Sequence, residues 1–214
     1  MLRSAKLYLL LSSVLCFGLI SCQLHKYKAS KKCNEVIIDQ NSFKSILQPV
    51  TATKYKTDID VLKNHLTGIM VVKQTDSVTT HLVFLTELGM KLFDFEVKPA
   101  GINAVYVFEP LNKPALINSL KRNFNDIFLF NVFNKEVKQC SSKRIILFYS
   151  IPGKRNRVII PDSVGIKKQE TFNGHRKASK IDYMFDPKTK TYTQIKAVQY
   201  GIVKIRIELN LIKN

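Results

Sequence analysis

One stretch near the end of the chain, Val203-Lys-Ile-Arg-Ile-Glu-Leu-Asn-Leu211, alternates without a break: every odd position is apolar and every even one polar. Successive side chains of a β-strand point to opposite faces, so Val203, Ile205, Ile207, Leu209 and Leu211 are expected on a buried face and their neighbours in water. Runs at 55–62, 66–74, 78–86 and 90–97, rich in β-branched and aromatic residues and joined by polar turns, predict an antiparallel meander. A further strand is expected over 144–150. Thr75-Asp76-Ser77, Asn173-Gly174 and Asp186-Pro187 mark turns, the second because both residues accept the positive φ of a tight hairpin.

One segment departs from this period. After Asn112, read as an N-cap, Pro114 falls in the tolerated first turn, and Leu116, Leu120, Phe124 and Ile127 recur at helical spacing. This predicts one amphipathic helix. The meander is apolar on both faces, with Met70, Val72, Leu82 and Phe84 on one and Ile69, Val71, Val83 and Leu85 on the other. Such a sheet is expected to be covered twice, by the helix and by either further strands or a hollow that accepts acyl chains. The fold class is therefore α+β, mainly antiparallel β, with an open half-barrel or strongly curved sheet and at least one amphipathic helix packed on it. Val72, Leu82, Phe84 and Phe93, with Leu120 and Phe124 of the helix, are the candidate cavity-lining residues; a one-residue slip of register would exchange the strand set.

The 214 residues, 45% of them hydrophobic, are enough for a core without disulfide staples, and neither Gly nor Pro is abundant enough for a fibrous protein. The net charge of +18 is carried largely by lysine. Lys154, Arg155, Arg157, Lys167, Lys168, Arg176, Lys177 and Lys180 form its densest cluster. We read it as solvated surface, with anionic lipid or envelope polymer as the alternative partner and nucleic acid excluded.

The first residues divide into a basic head with Arg3 and Lys6, an apolar run over 7–20, and a small-residue exit. The apolar run is short for crossing a hydrocarbon core of about 30 Å and has the length of a signal-peptide core. Its exit, Leu19-Ile20-Ser21-Cys22, resembles the lipobox of bacterial lipoproteins. The resemblance implies that residues 1–21 are removed and that Cys22 carries a diacylglyceryl group. That covalent lipid is the only non-protein group expected, and no cofactor is implied. Residues 22–34 then form a basic tether with Lys26, Lys28, Lys31 and Lys32, suited to anionic headgroups, and 35–214 form a single β-rich domain. Gln23 is not the Asp that would resemble an inner-membrane retention signal, and no acidic residue precedes Glu35. The expected location is thus the periplasmic face of the outer membrane.

The order of elements resembles the LolA/LolB-like superfamily of lipoprotein carriers and receptors, an open half-barrel with a helical lid. The likeness covers Lys54 to the C-terminus and rests on the Leu66-Thr67-Gly68 strand entry, the hairpins through Leu88-Gly89, the helix and the return to strands. It implies an acyl chain or hydrophobic peptide as ligand, lipid or lipoprotein as cargo, and no covalent chemistry. The alternative is an anchored structural or assembly factor that holds envelope proteins or polymer by a sheet edge or basic face.

Candidates for chemistry are few. Asp94 and Glu96 share a strand face opposite Phe93 and Phe95, which is expected to be a solvent-facing edge, and His81 is expected to be a structural histidine. No nucleophile elbow, Ser-x-x-Lys pair, zinc-protease helix or P-loop occurs, so no catalytic residue is assigned. His25, His65, His81 and His175 have no partner at ligand spacing, so no metal site is assigned either. With Cys16 lost in the leader and Cys22 lipidated, Cys33 and Cys140 remain; an exported protein permits their pairing, but sequence does not place them together.

Overall fold

A computed structural model describes residues 33–36, 52–61, 64–128, 130, 137–141, 145–151, 155–161, 165–174, 176–189, 191–201 and 203–213. The leader, Cys22, His25, Lys154 and His175 lie outside the described residues. The strands are β1 (Cys33–Val36), β2 (Thr53–Val61), β3 (Asn64–Gln74), β4 (Thr80–Leu85), β5 (Lys91–Lys98), β6 (Gly101–Val107), β7 (Val137–Ser141), β8 (Ile145–Ile151), β9 (Arg155–Pro161), β10 (Ile166–Asn173), β11 (Arg176–Asp186), β12 (Thr191–Gln199) and β13 (Ile205–Leu211). Among the described residues one α-helix, α1 (Pro114–Phe128), lies between β6 and β7 in the chain. β1 begins at Cys33, inside the stretch read as tether.

These strands form one open antiparallel sheet in the order β1-β7-β8-β9-β10-β11-β12-β13-β2-β3-β4-β5-β6. Two meanders are joined where the C-terminal strand β13 pairs with β2, and β1 returns to the far edge beside β7. The helix shows how strongly the sheet curves. Phe124 packs on Phe93 of β5, with ring centroids 5.8 Å apart, while Asp126, two residues on, pairs with Arg157 of β9. Those strands stand eight places apart in the sheet order, about 38 Å on a flat sheet, whereas a helix with its side chains is about 10–12 Å across. Only a sheet wrapped around α1 meets both conditions.

The predicted faces hold where alternation is clean: Ile205, Ile207 and Leu209 are fully buried on the concave side, with Met70, Val72, Leu82 and Phe84. The opposite face of the meander differs from the expectation. Ile69, Val71, Val83 and Leu85 are only half-buried, set against one another across strands, Val71 opposite Val83 and Ile69 opposite Leu85. No second layer of described residues covers them.

The turns follow their local chemistry. Asp76 Oδ1 accepts the amides of Val78 and Thr79 at 2.8 Å each, which holds its carboxyl below the usual carboxylate range. Gly174, at φ 55°, closes the β10–β11 hairpin. The helix start differs from the reading of Asn112 as its cap. Asn112 instead ends a 3-10 turn over Glu109–Leu111, its amide bonded to the Glu109 carbonyl at 2.9 Å. The first helical bond runs from the Ile117 amide to the Lys113 carbonyl. At the other end Tyr183 Oη donates to the Ile127 carbonyl at 2.9 Å, satisfying one of the acceptors that a helix terminus leaves open.

Candidate functional site: the concave face beneath the helix

The concave face holds one hydrophobic cluster that runs beneath both flanks of α1. Under one flank of α1 lie the six residues singled out from sequence. Val72, Leu82, Phe84, Phe93, Leu120 and Phe124 are all buried in a single cluster. Register puts Val72 opposite Leu82 and Phe84 opposite Phe93. The rings of Phe84 and Phe93 are 5.2 Å apart, and Phe95 stacks on Phe93 at 4.6 Å. The structure thus brings the six together, ring on ring, against the helix.

The other flank carries a polar row beside buried Ile159, Ile181, Ile195 and Ala197, which hydrophobic periodicity does not reveal. Arg157, Thr171, Ser179 and Gln199 stand in register across β9, β10, β11 and β12 and form one row. Arg157, Thr171 and Ser179 are buried. Arg157 was expected in a solvated basic cluster; it is instead 1% exposed and paired with Asp126, because its place in the register turns it under the helix. Above the row, Asn123 Nδ2 donates to Gln199 Oε1 at 2.5 Å and to the Ser119 carbonyl at 2.8 Å. Arg122 Nη2 donates to Ser119 Oγ at 3.0 Å.

Below that roof, Ser179 Oγ, Thr171 Oγ1 and both amide atoms of Gln169 are buried with no hydrogen-bond partner among the described residues. Buried polar atoms in native proteins are nearly always paired, and an unpaired one costs about 1–3 kcal/mol. Thr171 and Ser179 are neighbours in the polar row and Gln169 lies in the next one, and the Ser179–Gln199 end of the row is a surface that an outside group can complete. A cleft of about 790 Å³ opens onto it between α1 and the β10–β12 side, lined by Ser119, Lys121, Arg122, Ser179, Gln199 and Val203 among others. None of the six sequence-selected residues lines this cleft. Val203, at the cleft, also packs against the hydrophobic cluster.

The carboxylates considered for acid-base work lie on the convex side and are not arranged for it. Asp94 is 8% exposed, not a solvent-facing edge residue as expected. His81 Nδ1 lies 2.9 Å from its Oδ1, and Lys91 Nζ donates to Oδ2 at 3.4 Å. Glu96 is engaged separately by Lys98 at 2.9 Å. Each carboxylate has its own cation, as in a structural ion pair. His65 sits 2.6 Å from Asp60, and no cluster of metal-ligating side chains occurs among the described residues.

No protein-family model matches the chain, and no curated protein matches it. Among solved structures, a LolA superfamily protein of Nitrosomonas europaea matches with a TM-score of 0.50 at 10% identity, over 83% of this chain and 93% of that one. A DUF1329 family protein of Desulfovibrio piger matches with a TM-score of 0.41 at 9% identity, over 78% and 86%. The first likeness covers most of both chains, and it is a likeness of fold. The chain has a LolA-like fold: an open, strongly curved antiparallel sheet closed around one helix.

Proposed function

We propose that this protein is a noncatalytic lipoprotein of the cell envelope that binds an amphiphile between α1 and the concave face of its sheet. The observation that carries the reading is a polar row, Arg157, Thr171, Ser179 and Gln199, set in a largely apolar concave face beneath α1 and reached at Ser179 and Gln199 from an open cleft. An acyl chain suits the apolar cluster under β2 to β5, which is filled by its own side chains in the described structure, so that entry of the acyl chain requires α1 to lift from the sheet. A hydrogen-bonding headgroup suits the cleft, which Ser179 lines with an Oγ that has no hydrogen-bond partner among the described residues. Lys121 and Arg122 at the mouth favour an anionic one. No bond needs to form or break for such a ligand to be held. The mooring on Cys22 and the periplasmic face of the outer membrane belong to the same reading, and rest on the Leu19-Ile20-Ser21-Cys22 motif and the basic tether.

The test is titration of the purified protein with a fluorescent fatty acid. Saturable binding is expected, lost in Ser179→Phe, which fills the cleft, and retained in Lys188→Ala, on an exposed turn. Equal binding in both variants, with circular dichroism unchanged, would remove the cleft from the account. A second reading, an assembly factor that pairs with envelope proteins through a sheet edge, is favoured by β6. This strand ends the sheet with Val105 and Tyr106 exposed at 59% and 43%. Under that reading a proline at Val105 abolishes partner capture and leaves the fatty-acid titration unchanged.

A further inference from the structure

β1 is a four-residue strand on the edge of the sheet, paired only with β7. So short an edge has little to hold it, yet it is the first described element after the proposed mooring point. Any pull on the tether is applied at its first residue, Cys33. The register across this pair is Cys33 opposite Cys140, Asn34 opposite Gln139, Glu35 opposite Lys138 and Val36 opposite Val137. The two cysteines that neither the leader nor the lipidation motif accounts for are direct partners, and the next charged pair in the ladder is of opposite sign.

We propose that Cys33 and Cys140 form a cross-strand disulfide that clamps the edge strand to the body of the protein. Directly opposed residues of an antiparallel pair have Cα atoms about 4.5–5.5 Å apart, inside the range of about 4.4–6.8 Å that a disulfide requires. The register is what brings them opposite each other, and a slip of one residue would remove the pairing. Forming the bond removes two protons and two electrons from the thiols, and the acceptor is a disulfide-bearing oxidant of an oxidising compartment. The thiolate of one cysteine attacks a sulfur of that oxidant, giving a mixed disulfide and one released thiolate. The second cysteine then attacks the mixed disulfide at the first cysteine's sulfur, closing the Cys33–Cys140 bond and releasing the oxidant as its dithiol. The bond itself is independent of any ligand. Only its use as a clamp against tension rests on the lipidation of Cys22.

The experiment uses the full chain, exported with its own leader and recovered from envelopes. The protein is denatured and labelled with one thiol reagent before reduction and a second, of different mass, after it, then digested. Cys33 and Cys140 are expected to carry only the second label. The unreduced digest should contain their two peptides joined, lighter by two hydrogens than the separate thiol peptides. The first label on both residues, or either cysteine joined to a different partner, would overturn the bond. Hydrogen exchange at Glu35 and Val36 is expected to quicken at least about tenfold when the same sample is reduced; unchanged exchange would overturn the clamp.

Discussion

Asp126 of α1 and Arg157 of β9 form an ion pair buried on both sides, with side chains 10% and 2% exposed. It ties the helix to β9, as Phe124 ties it to β5 at the other side of the sheet. Removing one partner from a buried pair leaves the other charge uncompensated, which typically costs about 3–5 kcal/mol. Asp126→Ala and Arg157→Met are each expected to lower unfolding stability by about that much. The double variant is expected to lose clearly less than the sum. Additive losses in the cycle, read by chemical denaturation, would show that the pair does not couple helix to sheet.

Gly68 sits where the backbone of β4 comes closest to β3. A Cβ placed there would lie 2.0 Å from the Leu85 carbonyl oxygen, at the point where the register of β4 against β5 shifts. Backbone cannot swing aside as a side-chain tip can. Gly68→Ala is expected to destabilise by about 1–3 kcal/mol or more, the range of overpacking in a tight core, with a lower denaturant midpoint. An unchanged midpoint would mean that the two strands stand farther apart than described.

Three buried phenols set the alkaline limit. Burial pushes Tyr55 up to about 12, holds Tyr183 well above its ordinary value, and raises Tyr192. Below about pH 10 both folded and unfolded chains keep these protons. Above it the unfolded chain loses them first, so stability declines as pH climbs toward and past the folded values, at up to about 1.4 kcal/mol per pH unit for each group. Tyr55→Phe is expected to flatten that decline between pH 10 and 12 and to leave the neutral midpoint nearly unchanged. A decline as steep as in the parent would remove Tyr55 as a cause.

Much of this fold is legible in the sequence because alternation and helical spacing are local. Ile205, Ile207 and Leu209 announce a buried face, and Leu116, Leu120, Phe124 and Ile127 announce the helix that covers it. Periodicity does not say what lies over a polar position. Asp94 alternates as a solvent-facing residue would, yet His81 and Lys91 close over it. Arg157 reads as one more surface cation until β9 is seen to pass beneath α1. The shifts of register at Phe84/Leu85, Asp94/Phe95 and Thr171/Phe172 carry no local signal. Nor does the pairing of β1 with β7, which joins distant parts of the chain and places Cys33 opposite Cys140.

Anchoring is tested by Cys22→Ser. The parent is expected to sediment with envelopes and to release a thioether-linked lipid from its N-terminal peptide. The variant is expected to keep its leader and carry no lipid. Processing identical to that of the parent would rule out the lipobox reading, whatever the concave face binds.

The central claim, that the face beneath α1 holds an amphiphile, is tested most directly by extracting the native purified protein into organic solvent and identifying what it releases by mass spectrometry. The account predicts close to one amphiphile per chain, with an acyl tail and a hydrogen-bonding or anionic headgroup, and a much reduced yield from Ser179→Phe. Repeated preparations of folded protein that release no lipid, and take up none when incubated with vesicles, would contradict it.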